Sequence, residues 1–79
     1  MLQNQPLRER DLAAVAKRFR LQAEKTRAQA ARDMRVAQTS IFHAEESPEQ
    51  SLFKLRKRII EAYSPYTIEG PVFFLEKKQ

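Results

Sequence analysis

Residues Thr26 to Ser47 read TRAQAARDMRVAQTSIFHAEES, and this stretch decides the fold. It opens on Thr26-Arg27-Ala28-Gln29, a capping box in which the Thr26 side chain caps a new helix and Gln29 bonds back to it. After Met34, the run from Val36 to Ser40 weakens helix propensity through its Val, Thr and Ser residues. The reading is two short helices joined by a tight turn. Helices so joined cross closely, which demands a small residue at the crossing. Ala31 supplies it, with Met34, Val36 and Ile41 filling the interior of the corner.

Working outward, the chain from Leu7 is rich in Ala, Arg, Lys, Glu and Gln and has no Pro or Gly until Pro48, so a helix is expected before Thr26. On the other side, Ser47-Pro48-Glu49-Gln50 reads as a helix start, with Ser47 as N-cap, Pro48 in the first turn and Gln50 closing a capping box. The helix that follows carries Leu52, Leu55, Ile59 and Ala62 as one buried stripe, widened by Phe53, Ile60 and Tyr63. Ser64-Pro65 ends it, because a residue before proline is pushed out of the helical region. Beyond lies a β-branched and aromatic segment, Thr67 to Glu76, read as one strand kinked at Gly70-Pro71. A lone strand leaves its backbone groups without partners, so pairing between two copies of the chain is expected, with Ile68, Val72, Phe73, Phe74 and Leu75 as the dimerisation residues. The organisation is thus a flexible arm over residues 1–7, a helical domain over 8–63 and a strand over 64–79.

Composition narrows the function classes. A chain of 79 residues holds one small domain. It has no cysteine, and His43 alone cannot build a metal site, so no cofactor is expected. No apolar run reaches the length of a membrane span, and Met1 to Arg10 lacks the apolar core of a secretory signal, which gives a cytoplasmic expectation. The net charge of +5 is concentrated: residues 1–44 hold nine Lys/Arg against four Asp/Glu, while residues 45–79 hold six of each. Positive potential in one half favours a polyanion such as nucleic acid. No Gly-rich phosphate loop, metal cluster or nucleophile–base arrangement is visible, and Gly70 is the only glycine, so an enzyme is not expected.

The segment from Thr26 resembles the Xre-type helix-turn-helix of phage Cro and repressor proteins. That pattern runs T-Q-x-x-L-A, four residues containing the turn, then V-S-x-x-x-I-S-x-x-E-x-G, and it is matched here at Thr26, Ala31, Val36, Ile41 and Glu45. With Arg20 and the helix that ends at Tyr63, the resemblance covers over half of the chain. It implies a mainly α fold: a four-helix, lambda-repressor-like helix-turn-helix domain, here with a short C-terminal β-strand tail. It also implies a homodimeric repressor that lays Ala37 to Glu45 in the major groove of double-stranded DNA.

By that resemblance Gln38, Thr39, Phe42 and His43 are the base-reading positions. Gln can bond adenine at two points, Thr offers a hydroxyl or methyl, and Phe42 can pack on a thymine methyl. Arg27 and Arg35 are expected at phosphates, and Arg20 with Glu45 as an interior ion pair. The departures have physical consequences. Arg35 stands where a glycine is usual, in a left-handed position that costs a residue with a Cβ roughly 1 kcal/mol. Ala30 and Ala44 replace larger residues, so Phe19, Phe53 or the tail must fill the core. Glu46 and Glu49 put negative charge where phosphate often approaches, and most of Lys54, Arg56, Lys57 and Arg58 is expected in solvent. The alternative is an interaction protein or antitoxin on the same scaffold, with Phe73 and Phe74 facing a second protein.

Overall fold

The computed structural model describes residues 7–69 and 74–78. Four helices and two strands follow in the order α1 (Asp11–Gln22), α2 (Arg27–Met34), α3 (Gln38–Glu46), α4 (Phe53–Tyr63), β1 (Tyr66–Glu69) and β2 (Phe74–Lys77). Among the described residues no helix is long and apolar enough to cross a membrane.

Helix α1 starts where Arg8 and Asp11 bond reciprocally: the Arg8 amide donates to the Asp11 carboxylate at 2.8 Å, and the Asp11 amide donates to the Arg8 carbonyl at 2.9 Å. Leu12, Val15, Ala16, Phe19 and Arg20 recur every three or four residues and form its buried face. It ends in a Schellman turn, with Lys25 N–H reaching Arg20 O, Glu24 N–H reaching Leu21 O and Glu24 left-handed at φ 59°.

The Thr26 capping box forms as the sequence predicts. Gln29 N–H donates to Thr26 Oγ1 at 3.1 Å, and Thr26 N–H donates to Gln29 Oε1 at 2.8 Å. Helix α2 closes with a second Schellman turn in which Val36 N–H bonds Ala31 O and Arg35 N–H bonds Arg32 O. Arg35 sits there at φ 59°, ψ 48°, so a charged side chain occupies the conformation that glycine adopts without strain.

The expected start of α4 at Ser47-Pro48 is corrected. Residues 47–50 form a turn, with Gln50 N–H on Ser47 O at 2.9 Å, and α4 begins at Phe53. Pro48 acts instead as the terminator of α3. Continuing that helix would need an N–H at position 48 for the Ala44 carbonyl, and proline has none. The Arg56 side chain takes over: its Nε donates to Ala44 O at 2.9 Å, Nη1 to Gln50 O at 2.7 Å and Nη2 to Ser47 O at 2.7 Å. Arg56 is fully buried, contrary to the expectation of a solvated cluster, and Ala62, expected on the buried stripe, is exposed. The burial itself depresses the Arg56 pKa, while the charges of Glu9 and Glu49 oppose the shift.

The single-strand tail is also corrected. Strands β1 and β2 pair antiparallel within one chain, Tyr66 opposite Lys77, Thr67 opposite Glu76, Ile68 opposite Leu75 and Glu69 opposite Phe74. Each strand satisfies the other, so backbone pairing supplies no reason for a second copy. Ile68, expected at a dimer contact, is fully buried in the core of its own chain. Phe74 and Leu75 lie in β2. Val72, Phe73 and the Gly70-Pro71 kink lie outside the described residues. The hairpin is tied back to α4 by Glu61, whose carboxylate accepts from the Thr67 hydroxyl and from Ile68 N–H.

Leu7, expected in the arm, is 8% exposed and joins the core; the rest of the expected arm, residues 1–6, lies outside the described residues. Leu7, Leu12, Phe19, Met34, Ile41, Ile59, Ile60 and Ile68 supply the bulk around Ala16, Ala30, Ala31 and Ala44. Helix α4 packs against both α2 and α3, α1 packs against α3 and α4, and the hairpin packs on α4 through β1; the Phe19 and Tyr66 rings lie 5.8 Å apart.

Candidate nucleic-acid interface

Helices α2 and α3 are separated by three residues, Arg35 to Ala37, and the left-handed Arg35 turns the chain sharply enough for them to pack against each other. One face of α3 is locked inward. Ile41 and Ala44 are fully buried, and Glu45 is 5% exposed. The opposite face carries Gln38, Thr39, Phe42 and His43, all four exposed. Their spacing of one, three and four residues places them side by side on one surface of the helix. All four residues that the sequence assigns to base reading therefore share a single outward face.

The inward face is fixed by ions. Arg20 Nε meets Glu45 Oε2 at 2.5 Å and Arg20 Nη2 meets Glu45 Oε1 at 2.9 Å, with the third nitrogen on the Lys25 carbonyl at 2.7 Å. The expected Arg20–Glu45 pair is thus present as a two-point contact linking α1 to the end of α3. Buried pairs return little net stability, but loss of one partner strands the other charge. That is the property wanted of a clamp that sets the angle of α3.

Arg27, expected at a phosphate, also makes contacts within the chain. Its Nε lies 3.1 Å from Glu45 Oε1 and its Nη2 lies 2.6 Å from Glu46 Oε2, so two carboxylates already hold the group assigned to a phosphate. Its guanidinium carbon stands 5.1 Å from the centre of the Phe42 ring. Lys17 of α1 completes the cluster at 2.6 Å from Glu46 Oε2. The Lys17 hydrogen bond foremost, with attraction from Lys17 and Arg27, holds the Glu46 carboxyl below the usual range against its own desolvation. Glu46 is therefore a neutralised member of an ion cluster.

Arg35 is exposed at the turn immediately before α3, where no described ion pair engages it. Arg58 donates to the Met34 carbonyl and helps to cap the C-terminus of α2. The His43 Nδ1 lies 3.1 Å from Ser47 Oγ, and its ring meets Phe42 edge-on at 5.5 Å. On α2, Asp33 accepts from the Tyr63 hydroxyl at 2.6 Å, tying α2 to α4; burial first and that carboxylate second push the phenol pKa up.

The residues missed by sequence reasoning are Lys17 and Arg56. Lys17 carries no local signal, since its partner stands 29 positions away. Arg56 carried one, because it falls between Leu52 and Ile59 on the inward side of α4. Comparison with protein-family models, with curated proteins and with solved structures returned no match.

Proposed function

We propose that the chain is a helix-turn-helix protein of the phage-repressor type that binds double-stranded DNA, with α2 and α3 as the two helices of the motif. The observation that carries the reading is the division of α3: a face clamped by Ile41, Ala44 and Glu45, and a face of Gln38, Thr39, Phe42 and His43 open to solvent. A helix held this rigidly and faced with amide, hydroxyl, aromatic and imidazole groups suits the major groove, whose base edges offer donors, acceptors and the thymine methyl.

Several features support phosphate contact around that helix. The chain carries a net charge of +5. Arg35 lies at the approach to α3, and Ala37 caps that helix without a side-chain bond, leaving its first amides for an anion. The amides of Arg27 and Ala28 in the first turn of α2 are in the same position, because the capping box uses only Thr26 and Gln29. Phosphate contacts of this kind set register, and base contacts set sequence.

The reading is tested by selecting duplexes bound by the full chain from a random pool. A two-fold symmetric consensus, with half-sites about 34 Å apart along the duplex, supports a DNA-binding homodimer. An asymmetric consensus supports binding by one copy. A failure to enrich any sequence at low salt sinks the reading and favours a protein-interaction module on the same scaffold, to which the 44% exposure of Phe42 and 55% of Leu21 would then belong.

A further inference from the structure

The Arg27 guanidinium is held from behind by Glu45 and Glu46, and it faces the ring of Phe42 at 5.1 Å. The His43 ring meets the same ring edge-on, 5.5 Å away and at 76°, and is itself tied to Ser47. A phenylalanine that is 44% exposed therefore has two fixed neighbours before any ligand arrives. From these contacts we propose that Arg27 is a positioning residue for Phe42, and that the ring it fixes selects the 5-methyl group of thymine. The inference rests on the reading of α3 as the DNA-contacting helix.

Three considerations lead there. First, the guanidinium edge of Arg27 is bonded to two carboxylates, which it shares with Arg20 and Lys17, so its donors are turned to protein rather than to a phosphate. Second, a planar guanidinium is suited to stacking on an aromatic face while its edge bonds carboxylates, and lysine cannot do both. Third, a ring whose rotamer is set in the free protein loses less conformational freedom on binding, so its contact counts more fully toward affinity. The base pairs present one apolar group in the major groove, the thymine methyl. A preset ring beside Gln38 and Thr39 has that group as its natural partner, and cytosine and uracil lack it.

The experiment uses the full chain, a duplex recovered from the random pool, and the same duplex with deoxyuridine in place of every thymidine, titrated over a range of salt. For the wild type, thymine is preferred by about fourfold per contacted methyl, the worth of one buried methyl group. In Arg27→Gln that preference falls toward one while the slope of log affinity against log salt stays unchanged. Phe42→Ala abolishes the preference, and adding Arg27→Gln to it changes nothing further. If Arg27 met a phosphate instead, its replacement would reduce the slope by about one and leave the thymine preference intact; that result overturns the inference. Should Arg27→Gln not fold, Arg27→Lys keeps the charge without the planar face and is expected to lose the thymine preference at constant slope. A wild type that binds both duplexes equally refutes the inference alone. A wild type that binds no duplex refutes the DNA reading beneath it.

Discussion

Replacing Arg56 by methionine removes a side chain that gathers the loop between α3 and α4. Three guanidinium hydrogen bonds disappear, to Ala44 O, Ser47 O and Gln50 O. A hydrogen bond to a charged group contributes about 1.5–3 kcal/mol, but the three losses do not simply add. Residues 47 and 50 lie in a turn at the surface, so their carbonyls recover water. The Ala44 residue is fully buried, and its carbonyl has no substitute donor because residue 48 is proline. Methionine offsets part of the loss by removing the desolvation cost of a buried charge, although the 3.7 Å pair with Glu9 goes with it. The net destabilisation is about 3 kcal/mol, dominated by the stranded Ala44 carbonyl. In a domain of this size that is a large share of a total of roughly 5–10 kcal/mol. It corresponds to a fall in Tm of roughly 12–24 °C. Urea unfolding followed by helical circular dichroism measures it directly, and Arg56→Lys, a point charge without the planar fork, recovers little. A loss below about 1 kcal/mol for Arg56→Met would refute the reasoning that this residue closes α3.

Other outcomes follow from the same packing. Arg35→Gly relieves a left-handed residue at φ 59° and is expected to stabilise the fold by up to about 1 kcal/mol, read by urea titration; destabilisation would contradict the strain argument. Ala31→Leu forces bulk into the crossing of α2 and α3 and costs about 1–3 kcal/mol, with loss of cooperative unfolding if the corner opens. The folded-state pKa of Glu46 is depressed below 4.5, so its contribution to stability is complete above that value and fades as pH falls through the folded pKa. The stability gap between the wild type and Glu46→Gln should accordingly be constant near neutral pH and close in acid; a gap independent of pH would count against the Lys17–Glu46–Arg27 cluster. Deleting residues 67–79 removes the core residue Ile68, and the expected product is an unfolded chain; a folded truncated monomer, judged by circular dichroism and sedimentation, would contradict the core assignment.

How much was legible in the sequence depended on how local the physics was. The Thr26–Gln29 box was readable because donor and acceptor stand three positions apart. The left-handed Arg35 and the Arg20–Glu45 pair were both readable from the resemblance rather than from any local rule. Pro48 misled, because a proline after serine reads equally as the start of one helix and the stop of another. The choice was made by Arg56, whose partners are carbonyls that no side-chain pattern reveals. The hairpin was hidden for a similar reason. Two four-residue strands on either side of residues 70–73 look like one kinked strand in sequence, because antiparallel pairing carries no local signal there. The Arg27–Glu46 contact was not legible, because its partners stand 19 positions apart with no local pattern to link them.

The central claim is that the outward face of α3 reads DNA, and the most direct measurement is the affinity of the Gln38→Ala/Thr39→Ala variant for the selected duplex, by fluorescence anisotropy over a range of salt. Both residues are exposed, so the fold and its circular dichroism should be unchanged. The expected result is a loss of affinity of about 1–3 kcal/mol per base contact removed, with most of the salt slope retained because phosphate contacts lie elsewhere. Equal affinity of the variant and the wild type for that duplex would contradict it.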